Sequence, residues 1–158
     1  MQGESSSKLV RRLSQAKAEA ANDGKDRLII GSDQVAVLEG KLLGKPSNYH
    51  ANVMQLTAAS GRKVRFYTGL CLVNTSTSHV QIDVVEYIVK FRNLSDSHIR
   101  NYIETEQPYD CAGGFKCEGL GISLFEWMAG PDPTALIGLP LISLTEMLRS
   151  EGMDVLLL

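Results

Sequence analysis

Two runs of strand composition follow each other closely in the middle of the chain, and they limit the possible folds more than any other feature. Residues 63–73 and 80–91 are rich in valine, isoleucine, tyrosine and phenylalanine, and only the polar stretch NTSTSH separates them. A connection of this length is too short for the crossover that parallel strands need. The two runs are therefore predicted to form one long antiparallel β-hairpin.

Helical patterns and short strands lie on both sides of this hairpin. Strands are predicted for residues 27–31, for a small hairpin over 35–43 that turns at Glu39-Gly40, and for the stretch ISLFEWM. Four segments are predicted to be helices, and they are residues 8–22, 47–59, 94–107 and 140–150. The first three have polar caps, and Pro140 opens the last. This alternation predicts an α/β fold, with a mixed sheet flanked by helices, in a single domain over residues 1–158.

Composition excludes several classes of protein. The chain has 158 residues, of which 44% are hydrophobic, so it is long and apolar enough for one domain with a core. Sixteen basic and 18 acidic residues give a net charge of −2, which provides no bulk attraction to nucleic acid or to anionic membranes. We find no apolar run long enough for a membrane helix. The three cysteines form no CxxC pair, which argues against zinc and disulfides and favours a reducing cytoplasm.

The stretch LIIGSDQVAVLEGKLLGKP contains the first candidate for chemistry. An apolar run, residues 28–30, is followed by Gly31-Ser32 and then by Asp33. We interpret this as a buried strand that ends near an aspartate. In open α/β sheets ligands bind beyond the carboxyl ends of strands, where an aspartate can bind a divalent metal or act as a general base. The alternative is that Asp33 only caps the following turn.

Two lysines are weaker candidates. Lys45 lies in a Gly-Lys-Pro turn that suits a phosphate, although the chain contains no GxxxxGK[ST] loop. Lys17 lies among small residues in QAKAEAA and could reach inward. The alternatives are a solvated turn lysine and a surface lysine whose aliphatic stem lies along the protein.

The glycine-rich stretch CAGGFKCEGLG is the third candidate. Gly113 and Gly114 permit close approach of the backbone to a ligand, and the N–H groups of such loops bind anions. Phe115 could stack on a base, Lys116 could face a phosphate, and Glu118 could accept hydrogen bonds from a base or ribose. The alternative is an irregular turn with a phenylalanine in the core.

The order of five segments resembles the Maf family of nucleotide pyrophosphatases and covers almost the whole chain. These segments are AKAEAA, LIIGSDQVAVLEGKLLGKP, RFYTGLCL, CAGGFKCEGLGISLFE and GPDPTALIGLPLISLTEML. Within the family, SDQ and FKCEG resemble the YceF branch, which is associated with 7-methyl-GTP. The resemblance implies a Maf/ITPase-like fold, a cytoplasmic homodimer, and hydrolysis of a modified nucleoside triphosphate to the monophosphate and pyrophosphate.

The resemblance also implies roles for six residues. Asp33 would be the catalytic carboxylate, which binds Mg²⁺ or Mn²⁺ or activates the water that attacks the α-phosphate. Charge on the triphosphate would be balanced by Lys17, Lys45 and Lys116. The base would be selected by Gln34 and Glu118, because a carboxylate accepts from guanine N–H groups and offsets the cationic ring of 7-methylguanine.

One departure from the family concerns the start of the chain. Family members open with a strand, a serine-rich turn, an arginine pair and an acidic residue, and this sequence begins after that unit. Arg11 and Arg12 fall on the helix that carries Lys17, so they are not that pair. We therefore expect an N-terminally truncated Maf-like domain with much reduced turnover and a tendency to self-associate through an exposed sheet edge. The alternative function is a regulatory or degenerate nucleotide-binding protein with little or no catalysis.

Overall fold

A computed structural model describes residues 3–157, in which helices flank one β-sheet. The strands are β1 (Leu28–Leu38), β2 (Lys41–Leu43), β3 (Lys63–Asn74), β4 (His79–Phe91) and β5 (Phe125–Ala129). The helices are α1 (Ser6–Ala20), α2 (Tyr49–Ala59), α3 (Asp96–Glu106) and α4 (Leu141–Ser150). Three short 3₁₀ segments cover Ala112–Gly114, Leu120–Leu124 and Pro133–Ile137.

The five strands lie in the order β2-β1-β3-β4-β5. The β1–β2 and β4–β5 pairs are antiparallel. The turn over residues 75–78 is so short that β3 and β4 must be antiparallel as well. Thr75 N donates to Arg27 O, while Ser32 Oγ contacts Gly69 O, so β1 and β3 also run in opposite directions. The α/β class, the long hairpin and the flanking helices are confirmed. The sheet of the described residues is antiparallel where a mixed sheet was expected, because tight turns and this register fix the strand directions.

Strand β1 differs from the prediction in its length. It does not end near Gly31 but continues to Leu38, where the predicted turn at Glu39-Gly40 leads into β2. Three consecutive residues, 36–38, are buried, and this apolar end holds the strand in the sheet. Asp33 therefore lies in the middle of an antiparallel strand, and the expectation that it sits beyond the carboxyl end of a strand is wrong.

The helix bounds agree with the predictions to within about two residues, and their caps explain where they begin. Ser5 and Ser95 cap α1 and α3 through their side chains. Helix α2 is capped by Asn48, whose Oδ1 accepts from Ala51 N at 2.9 Å, while Ser47, the first residue of the predicted helix, has φ +64° and lies outside it. None of the helices within residues 3–157 has the length and apolar character needed to cross a bilayer.

The chain divides into two compact units, and the first comprises residues 3–34, 67–86 and 131–157. Its core has two parts. One is formed by Ala18, Ile29 and Cys71, with α1 packed on β1 and β3. The other joins α4 to β3 through Leu70, Leu72, Leu144 and Met147. This division leaves the single domain over residues 1–158 as a prediction.

The second unit comprises residues 35–66 and 87–130, and its core is aromatic. The ring of Phe115 meets Phe66, Phe91 and Phe125 edge to face, with centroids 5.5, 5.6 and 4.9 Å apart. Phe115 is only 4% exposed. The hypothesis that it stacks on a base is therefore wrong, and the alternative of a core phenylalanine is correct.

Candidate functional site

Two glycines of the first unit set how closely α1 approaches the sheet. A Cβ atom at Gly31 would lie 2.1 Å from Ser14 O, and one at Gly69 would lie 2.3 Å from Val10 O. The backbone of the helix therefore rests directly on β1 and β3. This close approach brings Lys17, near the end of α1, to the part of β1 that follows Gly31.

Lys17 and Asp33 form an ion pair. Lys17 Nζ lies 2.6 Å from Asp33 Oδ1 and also donates to Ser32 O at 3.0 Å. The lysine side chain is 57% exposed, whereas the aspartate side chain is 18% exposed. The structure thus places a largely shielded carboxylate against an ammonium group at the solvent boundary.

Gln34 is held by hydrogen bonds within the same unit. Its Nε2 donates to Thr68 Oγ1 at 3.0 Å and to Ala135 O at 2.6 Å. Ser32 Oγ contacts the carbonyl of Gly138 at 2.7 Å, so residues 135–138 are fastened to β1 at two points. Because the amide nitrogen of Gln34 is already engaged, its Oε1 is the group that it can offer to a ligand.

The other three candidates belong to the second unit. Lys45 and Glu118 are exposed, and Lys116 is partly buried with its Nζ donating to Glu106 O at 2.9 Å. All three charges act on Cys111. Burial raises the pKa of its thiol, Lys116 and Lys45 lower it, and Glu118 raises it.

The glycine loop has the unusual backbone expected of it. Gly113 and Gly114 adopt φ values of +76° and +74°, which residues with a Cβ atom rarely adopt. A Cβ at Gly121 would lie 2.1 Å from Lys116 O, so the loop folds tightly onto itself. Its role in binding an anion stays a prediction.

The side chains present fit only one kind of metal site. Within residues 3–157 no three histidine, cysteine, aspartate or glutamate side chains converge on a point that could hold an ion. Mg²⁺ commonly uses one or two carboxylates together with the phosphates of a substrate. The single carboxylate of Asp33 fits an ion of that kind, shared with a phosphate ligand.

Two polar residues of α2 were not identified from the sequence. Asn52 occupies the first position of a buried stripe that continues with Leu56 and Ala59, and it is fully buried. Gln55 lies one turn further along the helix. A polar residue at an apolar position of a helix was the available signal, because buried polar groups need specific partners.

Comparison with known families and proteins gives consistent matches. Residues 1–151 match the family Maf, described as Maf-like protein. The 7-methyl-GTP pyrophosphatase of Pseudomonas aeruginosa (strain PAO1) is 53% identical over 154 residues, which cover 97% of this chain and 80% of that protein. Proteins of the same name from Pseudomonas savastanoi pv. phaseolicola and Vibrio vulnificus are 55% and 47% identical, covering 93% and 99% of this chain and 77% and 80% of theirs.

Proposed function

Because the chain belongs to the Maf family, we propose that it is a nucleoside triphosphate pyrophosphatase that hydrolyses 7-methyl-GTP to 7-methyl-GMP and pyrophosphate. Relatives with that name are 47–55% identical to the chain over 93–99% of its length. The structural observation that supports the proposal is the contact between Asp33 and Lys17 at 2.6 Å. It supplies a base and a cation at one point, which hydrolysis of a phosphoanhydride requires.

Asp33 is the catalytic residue in this proposal. Its carboxylate accepts a proton from a water molecule whose oxygen bonds to the α-phosphorus. The bond between the α-phosphorus and the α–β bridging oxygen breaks, and pyrophosphate leaves with the electron pair of that bond. Lys17 offsets the negative charge that develops on the phosphate oxygens.

Further positive charge comes from outside this ion pair. Lys45 and Lys116 balance the charge of the triphosphate. Local positive charge is needed because the chain has a net charge of −2, which does not attract anions in bulk. Mg²⁺ or Mn²⁺, when bound, supplies further charge neutralisation on the phosphates. Asp33 is the side chain that would hold the metal together with those phosphates.

Selection of the base is assigned to Glu118 and Gln34. The carboxylate of Glu118 accepts from guanine N–H groups and offsets the positive charge of the 7-methylated ring. Gln34 acts through Oε1, since its nitrogen donates to Thr68 and Ala135. Unmethylated GTP lacks the ring charge, so it is expected to bind less tightly.

The test is pyrophosphate release from 7-methyl-GTP beside GTP, dTTP and UTP, with Mg²⁺ or Mn²⁺. We expect selective release from 7-methyl-GTP, and Asp33→Asn should lower kcat by at least about 100-fold with an unchanged thermal midpoint. Asp26→Asn removes an exposed carboxylate of the same unit and serves as the matched control. A control variant that loses as much activity would contradict the role of Asp33.

The same assay tests the alternative function. If the wild-type chain binds 7-methyl-GTP in calorimetry but releases no pyrophosphate, the chain is a nucleotide-binding protein and the enzymatic proposal fails. We also propose that it acts in the cytoplasm as a homodimer. Light scattering should then give twice the mass of the 17.3 kDa chain, and a monomeric mass would refute the dimer.

A further inference from the structure

The side chain of Asn52 makes one hydrogen bond and leaves one polar atom unpaired. Its Nδ2 donates to Gly114 O at 3.1 Å, across 62 residues of sequence. Its Oδ1 is buried without a hydrogen-bond partner among residues 3–157. Such a group lowers stability, because water that solvated it in the unfolded chain has not been replaced.

Gln55 repeats this arrangement one helical turn later. Its Nε2 donates to Gly44 O at 2.9 Å, and its Oε1 is buried without a partner in the described part of the chain. Exchanging nitrogen and oxygen in either amide would set an amide oxygen against a carbonyl oxygen. The carbonyl acceptors therefore determine which end of each amide is the nitrogen, and the amide oxygen is the atom left unpaired.

The two carbonyl acceptors lie beside two of the candidate lysines. Gly44 directly precedes Lys45, and Gly114 stands two residues before Lys116. One face of α2 thus holds both lysine-bearing turns of the second unit. The contact to the glycine loop is close, because a Cβ at Gly114 would lie 2.6 Å from Asn52 Oδ1.

Packing alone does not account for these amides. Leucine at position 52 and methionine at position 55 would fill these positions with apolar atoms and remove the unpaired amide oxygens, although Gly114 O and Gly44 O would then lose their donors. The amides supply one thing that apolar side chains lack, namely a directional bond that fixes each turn relative to the helix. A group that costs stability and fixes a loop is typical of a binding site.

We infer that Asn52 and Gln55 are positioning residues that hold Lys45 and Lys116 in place for the triphosphate. This inference rests on the proposed function. The two amides do not contact the substrate. They restrict the two turns before phosphate binds, so that binding costs less conformational entropy.

Asn52→Leu and Gln55→Met test the inference, with Thr57→Ala as the control on an exposed position of the same helix. Each test variant removes an unpaired amide oxygen and also the donor to Gly114 O or Gly44 O, so we expect little change in the thermal midpoint. KM for 7-methyl-GTP should increase about 10-fold, with kcat changed far less. Hydrogen exchange of residues 111–118 should become faster in Asn52→Leu, and that of residues 41–47 in Gln55→Met.

Binding of inorganic tripolyphosphate, measured by calorimetry, separates this inference from the proposed function because it requires no turnover. A weaker Kd in both test variants supports the positioning role even if the wild type releases no pyrophosphate. Unchanged KM, Kd and exchange would overturn it, as would equal changes in Thr57→Ala. If Asn52→Leu does not fold, Gln55→Met decides alone.

Discussion

At the scale of single residues, Glu151 shows how local contacts make stability depend on pH. Its side chain is 7% exposed and accepts from Asn74 Nδ2 at 2.7 Å and Gln81 Nε2 at 2.8 Å, with His79 Nδ1 at 2.6 Å. These hydrogen bonds, that of Asn74 first and that of His79 second, hold the pKa of Glu151 below its usual value. The carboxylate thereby fastens the turn of the long hairpin to the end of α4.

Because its pKa is lowered in the folded state, Glu151 contributes to the free energy of unfolding. This contribution is fully present above the unfolded pKa of about 4.3 and is lost as the pH falls through the folded pKa. We therefore expect Glu151→Gln to lower the urea midpoint at pH 7, and the gap to wild type to close as the pH falls below about 4. Glu146→Gln, at an exposed position of α4, should have little effect. A gap that is the same at every pH would contradict this explanation.

At the scale of secondary-structure elements, the crossing of α1 over β1 positions the candidate ion pair. Gly31→Ala would force a methyl group against the backbone of α1, which cannot move aside as a flexible side chain could. We expect a loss of about 3 kcal/mol in the free energy of unfolding, at the upper end of typical overpacking, together with reduced pyrophosphate release. The release should fall because the pair of Lys17 with Asp33 depends on this approach.

Urea unfolding measures the first effect, with Gly44→Ala as the control. Gly44 has an ordinary φ, and a Cβ atom there would meet open space. If Gly31→Ala were as stable as Gly44→Ala, the helix would not rest on the strand as described.

Element boundaries could be predicted from local patterns, because caps and apolar spacing act within a few residues. The continuation of β1 through Gly31 could not, since glycine followed by serine usually marks a turn. Here the glycine marks the contact with a helix that begins 25 residues earlier, and only the folded chain reveals it. The burial of Phe115 could not be predicted for the same reason, because three aromatic partners distant in sequence decide it.

The candidate site was less predictable than the fold. Five of its six residues were candidates from local patterns, whereas Gln34 and the specific roles came from the resemblance. The argument for Asp33 from its position at the end of a strand was wrong. The contact of Lys17 with Asp33 depends on the angle and height of α1, which periodicity does not determine. Asn52 was overlooked because a polar residue in a helix is usually on the surface.

At the scale of the whole molecule, the balance of charges determines how a metal can take part. The residues proposed to act on the nucleotide include three lysines and the carboxylates of Asp33 and Glu118. No cluster of three metal-binding side chains exists within residues 3–157. A divalent ion is therefore expected to bind together with the nucleotide, not to the free protein.

This expectation gives a prediction that separates folding from activity. Removing divalent ions with EDTA should abolish pyrophosphate release and leave the thermal midpoint unchanged, because ligands that do not bind the free folded state do not stabilise it. Mg²⁺ alone should also leave the midpoint unchanged relative to sodium chloride of equal ionic strength. Mg²⁺ with a non-hydrolysable α,β-methylene analogue of 7-methyl-GTP should raise the midpoint of the wild-type chain, because the analogue prevents turnover while Asp33 is kept. A saturable rise with Mg²⁺ alone would instead reveal a resident metal site and refute the view that the ion arrives with the substrate.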